Sequence, residues 1–283
     1  MNLVRWRVQE HEPYKVGLEH GAVVYDLSAK FRTLRSFLES FPRGWNERSL
    51  PLETLPRRAR DKVTLGPPVD DAAAIYLVGA NYRKHAEEAG LAVPEIPVIF
   101  MKPVTALVGP DEPIVLPPVS KQMDYEGELA VVIGKQATRV TAADAAGHVA
   151  GMTIVNDVTA RDLQWVQLGP NRIVDWLSSK SLDQSTPVGP GIAPVGEGVD
   201  LHRLQLKTWL NAELMQDADT SLMVFSVFDL IAFLSARVTL RPGDLISTGT
   251  PYGVGGFRKI FLKRGDVLKV QIQGIGTLEN PVR

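Results

Sequence analysis

Asp124-Tyr125-Glu126-Gly127-Glu128-Leu129-Ala130-Val131-Val132-Ile133-Gly134 is an apolar strand pattern that opens on acids. Side chains alternate along a strand, so Glu126 and Glu128, two residues apart, point to the same face. Two carboxylates on one face repel each other unless a cation or a proton lies between them. Gly127, between them, has no side chain and permits close approach of another backbone. A second apolar run, Met152-Thr153-Ile154-Val155-Asn156-Asp157, also ends on an acid. Three convergent carboxylates supply the oxygen donors that a hard divalent cation prefers, with positions left for water or substrate.

Outward from this pair, β signals dominate. Apolar runs at Ala72–Gly79, Pro97–Phe100, Ile114–Leu116, Leu204–Leu210, Leu245–Ser247 and Val267–Ile272 are punctuated by turns such as Arg241-Pro242-Gly243-Asp244. One helix is expected over Ser221–Ala236, apolar nearly all round and therefore buried. Residues 1–70 read as a small front unit, with a strand at Val23–Leu27, a short helix at Thr33–Phe41 and a Pro-rich link from Pro42 to Pro68. Neither a Gly-x-Gly-x-x-Gly nor a Gly-x(4)-Gly-Lys-Ser/Thr pattern occurs, which removes the dinucleotide and P-loop readings. The expectation is a mixed α/β, mostly β protein, with a small N-terminal domain over 1–70 and a larger one over 71–283.

Composition narrows the function. The 283 residues carry 31 Lys+Arg against 32 Asp+Glu, a balance unlike the basic footprint of a nucleic-acid binder. There is no cysteine, so disulfides, thiolate nucleophiles and Cys-based metal sites are excluded. No run of apolar residues is long enough to span a bilayer, and the N-terminus carries no apolar signal stretch. A cytoplasmic protein with no membrane or nucleic-acid partner is expected.

Three further clusters carry chemistry. In Asn81-Tyr82-Arg83-Lys84-His85-Ala86-Glu87-Glu88-Ala89-Gly90, Asn81 is placed to cap a helical turn and Gly90 to end it. His85 and Glu88 then lie three apart on one helical face, where a carboxylate orients an imidazole and raises its basicity as a general base. The segment from Asn81 to Pro97 is broken by Gly90, Pro94 and Pro97 and is expected to be a mobile lid. Lys180, in Ser178-Ser179-Lys180-Ser181, offers a charge to balance a substrate carboxylate or an oxyanion. Ser247-Thr248-Gly249-Thr250-Pro251-Tyr252-Gly253 exposes hydroxyls and amides in a strand-to-loop turn. The remaining histidines, His11, His20, His148 and His202, show no ligand spacing and read as structural.

Taken in order, the blocks Asn81-Tyr82…His85…Glu88, Phe100-Met101-Lys102-Pro103, Asp124 to Leu129, Asn156 to Asp162, Lys180-Ser181-Leu182-Asp183 and Thr248-Gly249-Thr250-Pro251 resemble the fumarylacetoacetate hydrolase (FAH) family over about residues 72–283. The resemblance implies an FAH-type β-roll with a buried helix, usually a homodimer, and a small N-terminal domain of the kind found in bacterial members. It implies Glu126, Glu128 and Asp157 as ligands of Mg²⁺ or Mn²⁺, with His85, Glu88 and Lys180 as catalytic residues. Arg161, Gln164 and Thr250 fall on positions that hold the substrate or the dyad in relatives. The activity implied is a metal-dependent C–C hydrolase that cleaves an acylpyruvate or related 2,4-dioxo acid through a pyruvate enolate, in aromatic or sugar-acid catabolism. An oxaloacetate-type decarboxylase or a hydroxymuconate-type isomerase would use the same scaffold. The segment from Trp165 to Trp176 faces the substrate and is individual to this chain.

Overall fold

A computed structural model describes residues 1–71, 73–196 and 198–283. Ala72, the first residue of one expected strand, lies outside the described residues; the strand itself is Ile75–Gly79. The strand Gly127–Ile133 is buried along its whole length because it is paired on both edges. On one side it runs antiparallel to Val149–Asn156, with Glu128 opposite Val155. On the other it runs antiparallel to Leu245–Ser247, which is parallel to Ile75–Gly79. The sheet continues through Val98–Met101 at one edge and, beyond Val149–Asn156, through Thr186–Pro194 into the N-terminal strands Asn2–Arg7, Lys15–His20 and Val23–Asp26. The boundary expected at residue 70 falls between two strands, Thr64–Gly66 and Ile75–Gly79. Sheet and core nevertheless run across it. Leu3 pairs with Ile192, and Leu3, Leu18, Phe37 and Leu38 share one apolar cluster with Leu77, Val132 and Leu245.

A second sheet, in the order Glu213–Asp219, Gln205–Leu210, Val267–Ile272, Gly276–Pro281, covers the other face. Leu206, Val270, Ile272 and Leu278 from it pack with Leu129, Val131, Met152 and Ile154. Gly127 sits where the two sheets pack closely. A Cβ there would run into Thr208 Oγ1 and lie 3.1 Å from Val270 Cγ1, so the glycine admits side chains of the second sheet and not another backbone. The expected buried helix is shorter than its apolar run and spans Val227–Ser235. Ser226 ends the run's N-terminal part by forming a capping box with Asp229, and His202 Nε2 accepts the Val227 amide at 3.1 Å. Phe225, just upstream, lies in a bend and donates its amide to Asn81 Oδ1 at 2.8 Å. No described helix is long and apolar enough to cross a membrane.

Gly127→Ala is expected to cost about 1–3 kcal/mol through overpacking, and Ser226→Ala about 1 kcal/mol through the lost cap. Urea denaturation of the two variants checks both values, and a Gly127→Ala protein as stable as the parent would show that the two sheets can separate locally.

Candidate active site

The site lies at one end of the central sheet because of the strand directions. The antiparallel register sets the start of Gly127–Ile133 against the end of Val149–Asn156. Leu245–Ser247 and the parallel Ile75–Gly79 finish at the same end. Glu126, Glu128, Asp157, the 248–256 turn and the helix bearing His85 therefore emerge together, although they are far apart in sequence. The Asp157 amide donates to Glu126 O at 2.8 Å, so the two acids are neighbours across the end of the ladder.

Glu126, Glu128 and Asp157 are 5%, 1% and 1% exposed, and carboxylate oxygens from all three lie within 4.8 Å of one another. Two lysines and an arginine serve part of this charge. Lys180 Nζ bridges Glu126, at 2.8 Å, and Asp157. Lys102 Nζ lies 2.6 Å from Asp157 Oδ1 and also donates to Thr186 Oγ1 at 2.7 Å and Val158 O at 3.1 Å. Arg161 forks between Asp124, at 2.8 Å, and Glu126. Asp124 itself is fully buried and also accepts the Gly255 and Gly256 amides at 2.7 and 2.8 Å.

Glu128 differs from its neighbours. Its Oε2 accepts the Ser247 hydroxyl and the Gly249 amide, at 3.0 Å, but no described cation pairs with it. Burial, with Asp157 and Glu126 beside it, pushes its carboxyl well above the usual range. Glu126 goes the other way: burial alone would raise it, and Lys180 and Arg161 outweigh that and hold it well below. Burial likewise depresses the Lys102 ammonium, whereas Asp157 and Glu126 overcome burial and raise Lys180. A carboxylate triad with one member short of positive charge fits a divalent cation, whose charge would allow Glu128 to ionise.

Asn81 does not cap the His85 helix. That helix, Arg83–Glu88, begins after Tyr82 without a side-chain cap, while the Asn81 amide donates to Thr248 O at 2.8 Å and Phe225 O at 3.1 Å. Asn81 clamps the entry of the segment to the sheet end instead. Tyr82 and Ala86 are buried, and Leu91 and Ile96 further on are exposed, so the first half of the expected lid is anchored. Gly90 does end the turn, at φ +65°. His85 Nδ1 stands 4.0 Å from Glu88, beyond hydrogen-bond reach, and has no partner among the described residues. Both Glu88 oxygens accept the Gly253 amide, at 2.9 and 3.1 Å. Burial raises the Glu88 carboxyl, but His85, the Gly253 amide and Arg258 prevail and lower it.

A cavity of about 460 Å³ opens onto the triad. His85, Glu126, Asp157, Arg161, Gln164, Lys180 and Thr250 line it; Glu88 and Glu128 do not. Gln164 reaches Arg161 at 3.4 Å, and the Thr250 hydroxyl donates to Gly127 O at 3.0 Å and accepts from Gln216 at 2.9 Å. The segment from Trp165 to Trp176 is a hairpin, Trp165–Leu168 with Asn171–Val174, leading into a short helix, and it contributes Trp165, Val174 and Trp176 to the wall. Sequence patterns assign no role to Lys102 or Asp124, misplace Asn81 as a helix cap, and show of Ser247 only that it stands in a turn exposing hydroxyls. The first two carried one legible signal, a charge beside an apolar strand run; for the other two only the assembled sheet end shows what they touch.

The sequence profile described as Fumarylacetoacetate (FAA) hydrolase C-terminal matches residues 74–283. The oxaloacetate tautomerase FAHD2B, mitochondrial, of Bos taurus is 40% identical over 100% of this chain and 91% of its own length. Among solved structures, the fumarylacetoacetate hydrolase of psychrophilic Exiguobacterium antarcticum superposes with a TM-score of 0.81 at 36% identity, covering 100% of this chain and 99% of that one. The maleylpyruvate hydrolase of Sphingobium sp. SYK-6, in complex with manganese(II) and pyruvate, gives 0.80 at 29% identity over 100% and 98%. The chain is a member of the fumarylacetoacetate hydrolase family.

Proposed function

We propose that the chain is a divalent-metal-dependent hydrolase that cleaves the C3–C4 bond of an acylpyruvate or a related 2,4-dioxo acid, with Glu126, Glu128 and Asp157 as ligands of Mg²⁺ or Mn²⁺. The observation that carries this reading is a cluster of three buried carboxylates, one without a cationic partner, of which Glu126 and Asp157 line a cavity that His85 also lines. A divalent cation there would hold the keto and carboxylate oxygens of a 2-oxo acid and stabilise the negative charge that develops on it. The Mn²⁺ and pyruvate found together in the Sphingobium relative support both the ion class and the ligand class.

The chain's own groups supply the proton chemistry. His85, which lines the cavity, takes a proton from water at Nε2, while its buried Nδ1 faces Glu88. Glu88, kept anionic and fixed by the Gly253 amide, closes from 4.0 Å to steady the imidazolium that results. The hydroxide adds to the C4 carbonyl, the C3–C4 bond breaks, and its electron pair passes to C3 as the enolate of pyruvate. A proton returned to C3 completes pyruvate, and the acyl part leaves as a carboxylate. Lys180 and Arg161 keep positive charge next to Glu126 and the carboxylate end of the substrate, and Gln164 and Thr250 line the same space. A homodimer belongs to the same proposal, supported by the exposed apolar side chains Val166, Leu168 and Ile173 on the hairpin.

A second reading is favoured by the 40% identity to an oxaloacetate tautomerase over the full chain. In it His85 carries a proton between C3 and the C2 oxygen, and no water attacks. Product analysis with acetylpyruvate and with enol-oxaloacetate separates the two, because only hydrolysis yields pyruvate plus acetate.

His85→Ala is expected to lower kcat by about 10²–10⁴-fold while leaving oxalate binding to the Mn²⁺ form nearly intact. Full hydrolysis by this variant would end the dyad mechanism. For the metal, saturating Mn²⁺ alone at about 100 times its Kd should stabilise the parent protein against thermal unfolding by about 2.7 kcal/mol. Glu128→Gln, which removes the ionisable group without removing its bulk, should abolish most of that gain. An equal gain in both proteins would take Glu128 out of the ligand set.

A further inference from the structure

The cavity's lining is of two kinds, buried charge and a half-exposed apolar rim. All its charged lining lies at the triad, and its two cations there are already committed. Arg161 is shared between Asp124 and Glu126, and Lys180 between Glu126 and Asp157. The rest of the lining is mostly apolar, with Leu91, Val98, Val174, Trp165, Trp176 and Phe257 beside the neutral Gln122, Gln164 and Thr250. Trp176 is held flat against Phe100, with ring centroids 4.4 Å apart and planes 4° apart, which gives the cavity a rigid aromatic side running up to Lys180, whose Nζ lies 5.3 Å over the Phe100 ring. Arg172 lies over the Trp165 ring at 5.0 Å but does not line the cavity. Among the described residues no lysine or arginine other than Arg161 and Lys180 reaches it.

A ligand anchored by its 2-oxo acid group at the triad must place its far end against this wall. A second carboxylate there would lose part of its water, find no lysine or arginine beyond the two already paired, and share the cavity with Glu126 and Asp157. An alkyl or aryl tail would instead cover Leu91, Trp165 and Phe257, which are 50%, 41% and 46% exposed and gain from being covered. We propose that the site selects 2-oxo acids with a single carboxylate and an apolar tail, that is, alkanoyl- or aroyl-pyruvates, over dicarboxylic 2-oxo acids. This inference rests on the proposed function for the end of the ligand that it leaves unchanged. It departs from the dicarboxylic substrate that the name of the Bos taurus relative carries.

The test is calorimetric titration of the Mn²⁺-loaded protein, which needs no turnover. Pyruvate is the reference, 2-oxohexanoate, 2-oxooctanoate and phenylpyruvate carry apolar tails, and 2-oxoglutarate and 2-oxoadipate carry a distal carboxylate. Binding should tighten about twofold to fourfold per added methylene, and 2-oxohexanoate should bind at least about tenfold more tightly than 2-oxoadipate. Phe257→Arg, at a half-exposed position that tolerates a long side chain, should shrink or invert that ratio by supplying the missing cation. Equal or tighter binding of the diacids by the parent protein, or a ratio untouched by Phe257→Arg, would overturn the inference while leaving the hydrolase reading in place. If pyruvate itself failed to bind the Mn²⁺ form, the metal reading would fall, and this inference with it.

Discussion

Four buried carboxylates at one end of a sheet are the constraint around which this protein is arranged. Asp124, Glu126, Glu128 and Asp157 lie within a single cluster, and Lys102, Arg161 and Lys180 supply one positive charge fewer. Removing that much charge from water is costly unless nearly every oxygen finds a donor. The surrounding structure meets that demand. The 248–256 turn aims amides at Glu128, Glu88 and Asp124, Ser247 donates to Glu128, and the strand bearing Thr186 holds Lys102 in place. What remains unbalanced is concentrated on Glu128, the position where a cation does most.

The central sheet was legible because its strands follow simple rules. Period-two alternation predicts Glu126 and Glu128 on one face; the strand itself starts at Gly127, so Glu126 stands just before it, and the two carboxylates converge all the same. The helix is buried on one face and starts later than its apolar run implies, because apolar character alone does not reveal that the Phe225 amide is held by Asn81. The capping pair Ser226 and Asp229 was the available signal for the true start. Gly127 was read correctly as a place of close approach, but its partner, the Thr208 hydroxyl, depends on how two sheets stack, which no local pattern encodes.

At the site, residue types and spacing indicated the acids, His85, Glu88 and Lys180. They could not indicate how charge is shared. That Lys180 bridges two of the acids, that Lys102 backs Asp157, and that Glu88 rests on the Gly253 amide and not on His85 are results of long-range pairing between segments more than twenty residues apart. The front unit illustrates the same limit. Its strands were visible one by one, yet their continuity with the central sheet depends on the pairing of Leu3 with Ile192.

The apolar rim of the cavity comes from separate excursions of the chain: the segment around Leu91, the hairpin from Trp165 to Val174, and the short helix Gly255–Arg258 that carries Phe257. None of these supplies an acid to the charged cluster, and only Trp176 shares a helix with one of its cations, Lys180. Substitutions at the rim can therefore accumulate without disturbing the costly electrostatic balance beneath it. A lineage built on this plan is free to exchange one substrate for another by altering a few half-exposed side chains, while the sheet end stays as it is. The separation makes the scaffold evolvable, and it makes overall sequence identity a poor guide to what each descendant binds.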